Sequence, residues 1–162
     1  QANKATIIAI AEVATYAQSQ GVKAHGMNLG GRYVFPFGSV KFVPALHSSG
    51  YEIDDVMTYM GEASGIILEA EDKKIYHAGD TALFSDMRLF AKDKSIDVAF
   101  LPIGDNYTMG PEDALQAVSY LNPKITIPIH YNTFPVIQQN PAIFVEQVVG
   151  GKVLNPGETI LV

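Results

Sequence analysis

The segment IYHAGDT, residues 75–81, is the part of the sequence on which the fold assignment depends. Its apolar start predicts a buried strand that runs almost directly into Asp80. Two histidines follow predicted strands in the same way, because residues 39–46 lead to His47 and residues 125–129 lead to His130. Layered α/β proteins usually place their sites at the carboxyl ends of strands. We therefore expect His47, Asp80 and His130 to share one edge of a sheet.

Strand and helix patterns alternate on both sides of this segment. Strands are predicted at residues 6–10, 64–69, 74–77 and 98–103, with short closing strands at 152–154 and 159–162. Helices are predicted at residues 11–20, 84–92, 142–149 and from Pro111 onward. Residues 22–38 are rich in turn signals, and residues 51–62 read as a long irregular connection that could act as a lid. The pattern predicts one layered α/β domain over residues 1–162.

Composition limits the kind of protein this is. A hydrophobic content of 48% and a charged content of 17% are typical of a globular chain with a real core. A formal charge of −6 argues against nucleic acid or an anionic membrane as the main partner and favours a small molecule. The chain has no cysteine, so a metal ion must be held by histidine, aspartate or glutamate.

Targeting signals are not visible in the sequence. No stretch approaches the ~20 apolar residues that a membrane span requires, and no secretory signal pattern is found. We therefore expect a cytoplasmic protein. The chain opens on Gln1, Ala2 and Asn3 rather than on methionine, so we also expect it to be a fragment of a longer protein.

The three residues at the predicted sheet edge have the chemistry of a metal site. Imidazole nitrogens and carboxylate oxygens are zinc ligands, and a carboxylate between two ions can bridge them. Far apart in the sequence, however, the three form no short motif, and a single histidine is more often a hydrogen-bonded structural residue. The segments around them carry more information.

Four sequence blocks resemble a known family. PALHSS at 44–49, IYHAGDT at 75–81, LPIGDNYTMGP at 101–111 and IPIHYNT at 127–133 look like the "metal-dependent hydrolase" branch of the metallo-β-lactamase superfamily. That branch is similar to bacterial ascorbate-6-phosphate lactonases, and the likeness runs in order over nearly the whole chain. It implies a four-layer αββα sandwich with two metal ions at one edge, zinc being favoured over manganese or iron.

The resemblance also implies residue roles. His47 would be the histidine of the second motif, Asp80 the bridging aspartate and His130 the last histidine ligand, with Asp80 and His130 also catalytic. His77 and Asp105 match positions near the site. A hydrogen bond that orients a ligand competes with core packing as the role of His77, and with a simple turn as the role of Asp105.

Other residues near these motifs are candidates for substrate binding. Tyr107 and Thr108 precede a predicted helix whose free N–H groups could hold an anionic group, although Gly110 and Pro111 also suit a plain helix start. Tyr131 and Asn132 follow a proposed ligand and could contact substrate. A structural role is the alternative for Tyr131 and Asn132.

One element of the family pattern is not found in the chain. The superfamily's first motif, His-x-His-x-Asp-His, supplies ligands to both ions, and no such cluster occurs here. We expect an upstream segment of the same protein to provide it together with the first strands of the sandwich. Without it the sequence predicts apolar surface to be covered, weak metal binding and little turnover. A homo-oligomer remains open.

The sequence thus predicts a hydrolase that uses a metal-bound hydroxide on a small ester, lactone or phosphoester. Two alternatives stay open. One is a non-catalytic binding or structural module with an incomplete metal site. The other is a nuclease of the same superfamily, which would need a basic face that the composition does not show.

Overall fold

The computed structural model describes residues 4–162. Gln1, Ala2 and Asn3, on which the expectation of a fragment partly rests, lie outside them. The strands are β1 Ile7–Ile10, β2 Ala24–Met27, β3 Arg32–Phe35, β4 Gly38–Pro44, β5 Gly50–Ile53, β6 Val56–Tyr59, β7 Ser64–Ala70, β8 Lys73–His77, β9 Val98–Pro102 and β10 Ile125–Ile129. The helices are α1 Ala11–Ser19, α2 Pro111–Leu121 and α3 Pro141–Val145, with 3-10 turns at Ser85–Leu89 and Pro135–Ile137.

A six-stranded mixed sheet organises the chain, in the order β10-β9-β8-β7-β4-β3. β8, β9 and β10 are mutually parallel, since Val98 pairs with both Ile75 and Ile125 in parallel register. β7 is antiparallel to both β8 and β4, so β4 runs in the same direction as β8. The carboxyl ends of β4, β8, β9 and β10 therefore meet at one edge. This confirms the predicted placement of the segments that carry His47, Asp80 and His130.

The main core lies between this sheet and α2. Tyr76, Leu101, Ile96, Met87 and Leu121 are fully buried within it. Burying such side chains contributes ~1.5–3 kcal/mol each, which fixes the sheet against the helix. The core residues alternate along β8 and β9 with residues on the opposite face, and this alternation sets the register of the strands.

A buried carboxylate, that of Asp97, connects the other ends of the parallel strands. Asp97, at the start of β9, accepts the main-chain N–H of Lys74 at 2.8 Å and the Nζ of Lys124 at 2.7 Å. These two hydrogen bonds hold the pKa of Asp97 below its ordinary value, and the bond from Lys124 has the larger effect. The group joins the starts of β8, β9 and β10 and so stabilises the register that brings their far ends together.

A smaller unit packs on the sheet near β4. β1 and β2 form a parallel pair joined by α1, and Ile10 and Met27 from this pair pack against Val40 and Phe42 of β4. An open apolar groove of about 540 Å³ lies beside them, lined by α1, β1, β4 and the chain from Ser49 to Ile66. Apolar surface of the kind expected from the sequence is therefore present.

The prediction of an irregular loop at residues 51–62 is wrong. β5 and β6 form an antiparallel hairpin there, with Ile53 paired to Val56. Asp54 and Asp55 occupy the two-residue turn with φ values of 49° and 60°. Positive φ at both turn residues is the geometry that matches strand twist in tight hairpins. The sequence signal is weak because Asp-Asp lacks the usual glycine.

The other differences concern short elements. Residues 84–92 form only a 3-10 turn, whose Met87 and Phe90 are buried three residues apart, the repeat of a 3-10 helix. The helix expected at 142–149 ends at Val145. The strands expected at 152–154 and 159–162 are not found in that described stretch, where only Gly151 bridges Thr126. Among residues 4–162, no helix is long and apolar enough to cross a bilayer.

Candidate metal centre

Asp80 and His130 meet at the shared sheet edge. His130 follows β10 directly, and Asp80 lies three residues beyond β8, where Gly79 turns the chain with a φ of 66°. The Nε2 atom of His130 lies 3.4 Å from Oδ2 of Asp80. The Asp80 side chain is 47% exposed and that of His130 is 23% exposed. The pair is thus formed within the protein and open to solvent on the side of the carboxylate.

The distance between these atoms fits two ligands of one metal ion. An N–H···O hydrogen bond is usually 2.7–3.2 Å long, so 3.4 Å is long for a direct bond. Two donors that each lie ~2.1 Å from a tetrahedral zinc ion are separated by about 3.4 Å. The other ring nitrogen of His130, Nδ1, is buried and has no hydrogen-bond partner among the described residues. Donor chemistry and spacing therefore both fit a divalent metal.

The backbone holds His130 in an unusual conformation. Its φ is 54°, in the left-handed region that non-glycine residues rarely adopt, and such conformations cluster at functional sites. Gly104 lies directly against it: a Cβ on Gly104 would overlap the carbonyl oxygen of His130 and come 3.1 Å from Nδ1. The position of the imidazole therefore depends on the absence of a side chain at residue 104.

His47 is close to this pair in the chain trace but does not complete a three-ligand cluster. The preceding residue is tied to the Asp80 loop, since Leu46 N–H donates to Thr81 Oγ1 at 2.9 Å and Leu46 carbonyl oxygen accepts Ala82 N–H at 3.0 Å. The Nδ1 atom of His47 lies 2.8 Å from the carbonyl oxygen of Ser48. Within residues 4–162, no group of three or more histidine or acidic side chains could hold a metal ion. The ligand role of His47 stays a prediction.

Thr81 joins the loops around the site, and the sequence did not single it out. It is completely buried. Its hydroxyl accepts Leu46 N–H at 2.9 Å and donates to Ala82 carbonyl oxygen at 2.8 Å, and its carbonyl oxygen accepts Met109 N–H at 2.9 Å. One residue thus connects the segments that carry His47, Asp80 and residues 104–109.

Replacing Thr81 tests whether these bonds position Asp80. Thr81→Val keeps the shape but leaves the Leu46 N–H without its acceptor, which should reduce the free energy of unfolding by ~1–3 kcal/mol. We expect zinc affinity, measured by competition with a chromophoric chelator, to fall as well. Thr81→Ser keeps the hydroxyl and should retain both the stability and the zinc affinity of the wild type. Equal behaviour of the valine and serine variants would show that the hydroxyl has no positioning role.

His77 and Asp105 support their own loops. The Nδ1 of His77 accepts Gly79 N–H at 3.1 Å, and its ring stacks on Phe100 at 5.6 Å. The residue is exposed overall, but partial burial of the ring lowers the pKa of His77, while the charge of Asp80 acts in the opposite direction. Asp105 accepts Asn106 N–H at 2.9 Å within its turn. The ring of His77 thus binds the main chain of the loop that leads to Asp80, and its role in orienting a ligand stays a prediction.

The residues predicted to contact substrate fall into two groups. Tyr107 is 56% exposed on the loop after β9, and the neighbouring Thr108 is half-buried. Tyr131 instead packs partly buried against the cluster around Phe144, and burial raises the pKa of Tyr131. Asn132 closes its own loop, since its Oδ1 accepts Gln139 N–H at 2.8 Å. The observed contacts favour a substrate role for Tyr107 over Tyr131 and Asn132.

The start of α2 is poorly suited to anions. Pro111 has no N–H to donate, and Glu112 and Asp113 place two carboxylates in the first turn. A negative charge there compensates the helix dipole and repels an anionic ligand. The sequence left two roles open for Gly110 and Pro111, an anion site and an ordinary helix start. The geometry favours the ordinary helix start.

Comparison of the sequence with known proteins shows which family the chain resembles. A family model described as "Beta-lactamase superfamily domain" matches residues 2–131. A "UPF0173 metal-dependent hydrolase" from Enterococcus faecalis is 96% identical over 162 residues, which are 100% of this chain and 72% of the relative. A protein of the same description from Bacillus cereus is 53% identical over 98% of this chain and 71% of its own length.

Solved structures agree. Igni18, described as a novel metallo hydrolase from Ignicoccus hospitalis, is 36% identical, with a TM-score of 0.86 over 96% of this chain and 68% of its own. Zinc-bound PqqB from Methylobacterium extorquens, 15% identical, has a TM-score of 0.66 over 97% of this chain and 64% of its own, and shares the fold alone. The predicted family and fold class are confirmed: the chain belongs to the β-lactamase superfamily and, within it, to the UPF0173 metal-dependent hydrolases.

Proposed function

We propose that the protein hydrolyses a small ester or lactone, or less readily a phosphoester, at the Asp80–His130 edge. The 3.4 Å separation of His130 Nε2 and Asp80 Oδ2 carries this proposal, because it suits shared binding of a metal better than a direct hydrogen bond. Zinc is the favoured ion for a site of imidazole and carboxylate groups, with manganese or iron as alternatives. Two ions per site are proposed, and Asp80, His130 and His47 are the residues of this chain that would hold them.

Asp80 and His130 have different proposed roles at this edge. A divalent metal held here supplies a positive charge that acidifies water and polarises a carbonyl or phosphoryl oxygen. Asp80, whose side chain is 47% exposed, would hold such an ion on the side of the pair that faces solvent. His130, which is less exposed and is packed against Gly104, would hold the ion with an imidazole whose position the backbone fixes. The upstream histidine motif expected from the family pattern would supply the remaining ligands.

Charge supports a small neutral substrate over a polyanion. The formal charge is −6, and α2, which follows the Tyr107 loop, begins with Glu112 and Asp113. Both features disfavour RNA, so the nuclease alternative is the weaker one. They also favour an ester or lactone over a phosphoester. The proposal includes the cytoplasmic location predicted from the sequence.

Metal removal with a substrate panel tests this function. The whole encoded protein would be stripped with a chelator, reloaded with zinc, and assayed on γ-butyrolactone, p-nitrophenyl acetate and bis(p-nitrophenyl) phosphate. We expect hydrolysis to disappear with the metal and to return with it, with the phosphodiester the poorest substrate. Hydrolysis that persists in the stripped protein would contradict the proposal. A zinc-loaded protein inactive on a broad ester and lactone panel would favour the non-catalytic module instead.

A further inference from the structure

Two exposed aromatic side chains, on the loops that follow β9 and β10, contact each other. The rings of Tyr107 and Phe134 have centroids 6.0 Å apart and are tilted by 56°. Tyr107 is 56% exposed and Phe134 is 42% exposed. The spacing lies in the range of favourable aromatic pairs, but much of each ring still faces solvent. The pair therefore offers an apolar surface that the core does not use.

The loop that carries Phe134 is fixed by its own hydrogen bonds. The main chain of Asn132 donates to Ile137 carbonyl oxygen at 2.9 Å, and Ile137 N–H donates to Phe134 carbonyl oxygen at 3.2 Å. Asn132 Oδ1 accepts Gln139 N–H at 2.8 Å, and Ile137 is fully buried. Phe134 is thus held at the surface by an ordered loop with a buried anchor.

The loop that carries Tyr107 is fixed in the same manner. Asp105 N–H donates to Met109 carbonyl oxygen at 3.1 Å, and Thr108 N–H donates to Asp105 carbonyl oxygen at 3.1 Å. Met109 is buried, and its N–H donates to Thr81. The Tyr107 loop is therefore tied to the residue that follows Asp80.

Both loops emerge from the strand ends that form the metal edge. Phe134 is four residues after His130, and Tyr107 is three residues after Gly104, which lies against His130. The two aromatic side chains thus lie on ordered loops that leave the same sheet edge as His130. Exposing two large rings loses the free energy that their burial would give, so a bound apolar group would restore it.

We propose that Tyr107 and Phe134 form one wall of the substrate site and select substrates that carry a planar apolar group, such as an aryl ring, next to the bond that is hydrolysed. This inference rests on the proposed function, since it places the reacting bond at Asp80 and His130. It adds a residue, Phe134, that the sequence motifs did not indicate, and it narrows the substrate class.

A pair of hydroxamates separates the aromatic wall from the metal site. Benzohydroxamate and acetohydroxamate share the metal-binding group and differ in a phenyl against a methyl group. Calorimetric titration of the zinc-loaded whole protein is expected to give about tenfold tighter binding of benzohydroxamate, which corresponds to ~1.4 kcal/mol. Phe134→Ala and Tyr107→Ala should each remove most of this preference and leave acetohydroxamate unchanged, while Phe134→Trp should retain it.

Phe37→Ala is the matched control. Phe37 is also an exposed phenylalanine, 56% exposed, but it precedes β4 and so lies at the opposite end of that strand from His47. Phe37→Ala should change the affinity for neither benzohydroxamate nor acetohydroxamate. Thermal unfolding of every variant establishes that the fold is intact.

The outcomes distinguish the two proposals. If the alanine variants keep the wild-type preference for benzohydroxamate, the aromatic wall is refuted while the metal site stands. If they weaken both hydroxamates equally, the rings act on loop structure and the inference also fails. If the zinc-loaded protein binds neither compound, the proposed function itself fails and the inference with it.

Discussion

Replacing Gly104 with alanine is expected to destabilise the protein and to weaken metal binding at the same time. The new Cβ would overlap the carbonyl oxygen of His130 and come 3.1 Å from both Nδ1 of His130 and Cβ of Ile137. None of these three groups can move freely, because one is backbone, one is buried and one belongs to a fully buried side chain. Overpacking of this kind costs roughly 1–3 kcal/mol. Displacement of His130 should lower zinc affinity roughly 10- to 100-fold, the range found for groups that orient a ligand.

Chemical denaturation and zinc titration measure the two effects separately. Gly30→Ala is a suitable control, because a Cβ there meets nothing within 4 Å and only the positive φ of 78° opposes it. The control should cost about 1 kcal/mol and leave zinc affinity unchanged. A Gly104→Ala protein with wild-type zinc affinity would show that the imidazole position does not depend on this contact.

Asp80→Ala should give the largest loss of function with little loss of stability. The carboxylate is 47% exposed, and it lies beside the imidazole of His130. Removing it should therefore change the free energy of unfolding of the metal-free protein by less than ~0.5 kcal/mol. Loss of a direct ligand should exceed the loss seen for groups that only orient one. We therefore expect zinc affinity and hydrolysis to fall by at least roughly 100-fold.

The charge-matched control for this variant is Asp93→Ala. Asp93 is an exposed aspartate after the Ser85–Leu89 turn, and its removal changes the net charge equally. Metal content by atomic emission and hydrolysis of the panel substrates should match the wild type in the control. Wild-type hydrolysis in Asp80→Ala would remove Asp80 from the mechanism.

The strand framework could be predicted because its signals are local. Apolar runs at residues 98–103 and 125–129 read as buried strands, and parallel strands bring their carboxyl ends together. The pairing of Asp80 with His130 follows from that arrangement and from the family pattern. The hairpin at residues 50–59 was missed because its turn, Asp54 and Asp55, lacks a glycine and its strands are short.

The local sequence pattern could not identify residues whose roles depend on tertiary contacts. Thr81 is one threonine among several in the sequence, and only the loops folded around it make its hydroxyl a shared partner. Gly104 matters because His130 approaches it from another strand end. The contact between Tyr107 and Phe134 likewise joins two loops that are distant in the sequence. The sequence blocks shared with the family indicated the three proposed ligands, His47, Asp80 and His130, whereas these supporting residues required the fold.

The most direct test is anomalous diffraction at the zinc edge from crystals of the zinc-loaded whole protein. The account predicts a peak within ~2.0–2.2 Å of both Asp80 carboxylate oxygen and His130 Nε2. A peak bound by other residues, with these two groups still hydrogen-bonded or turned to solvent, would contradict the assignment of this edge as the metal centre.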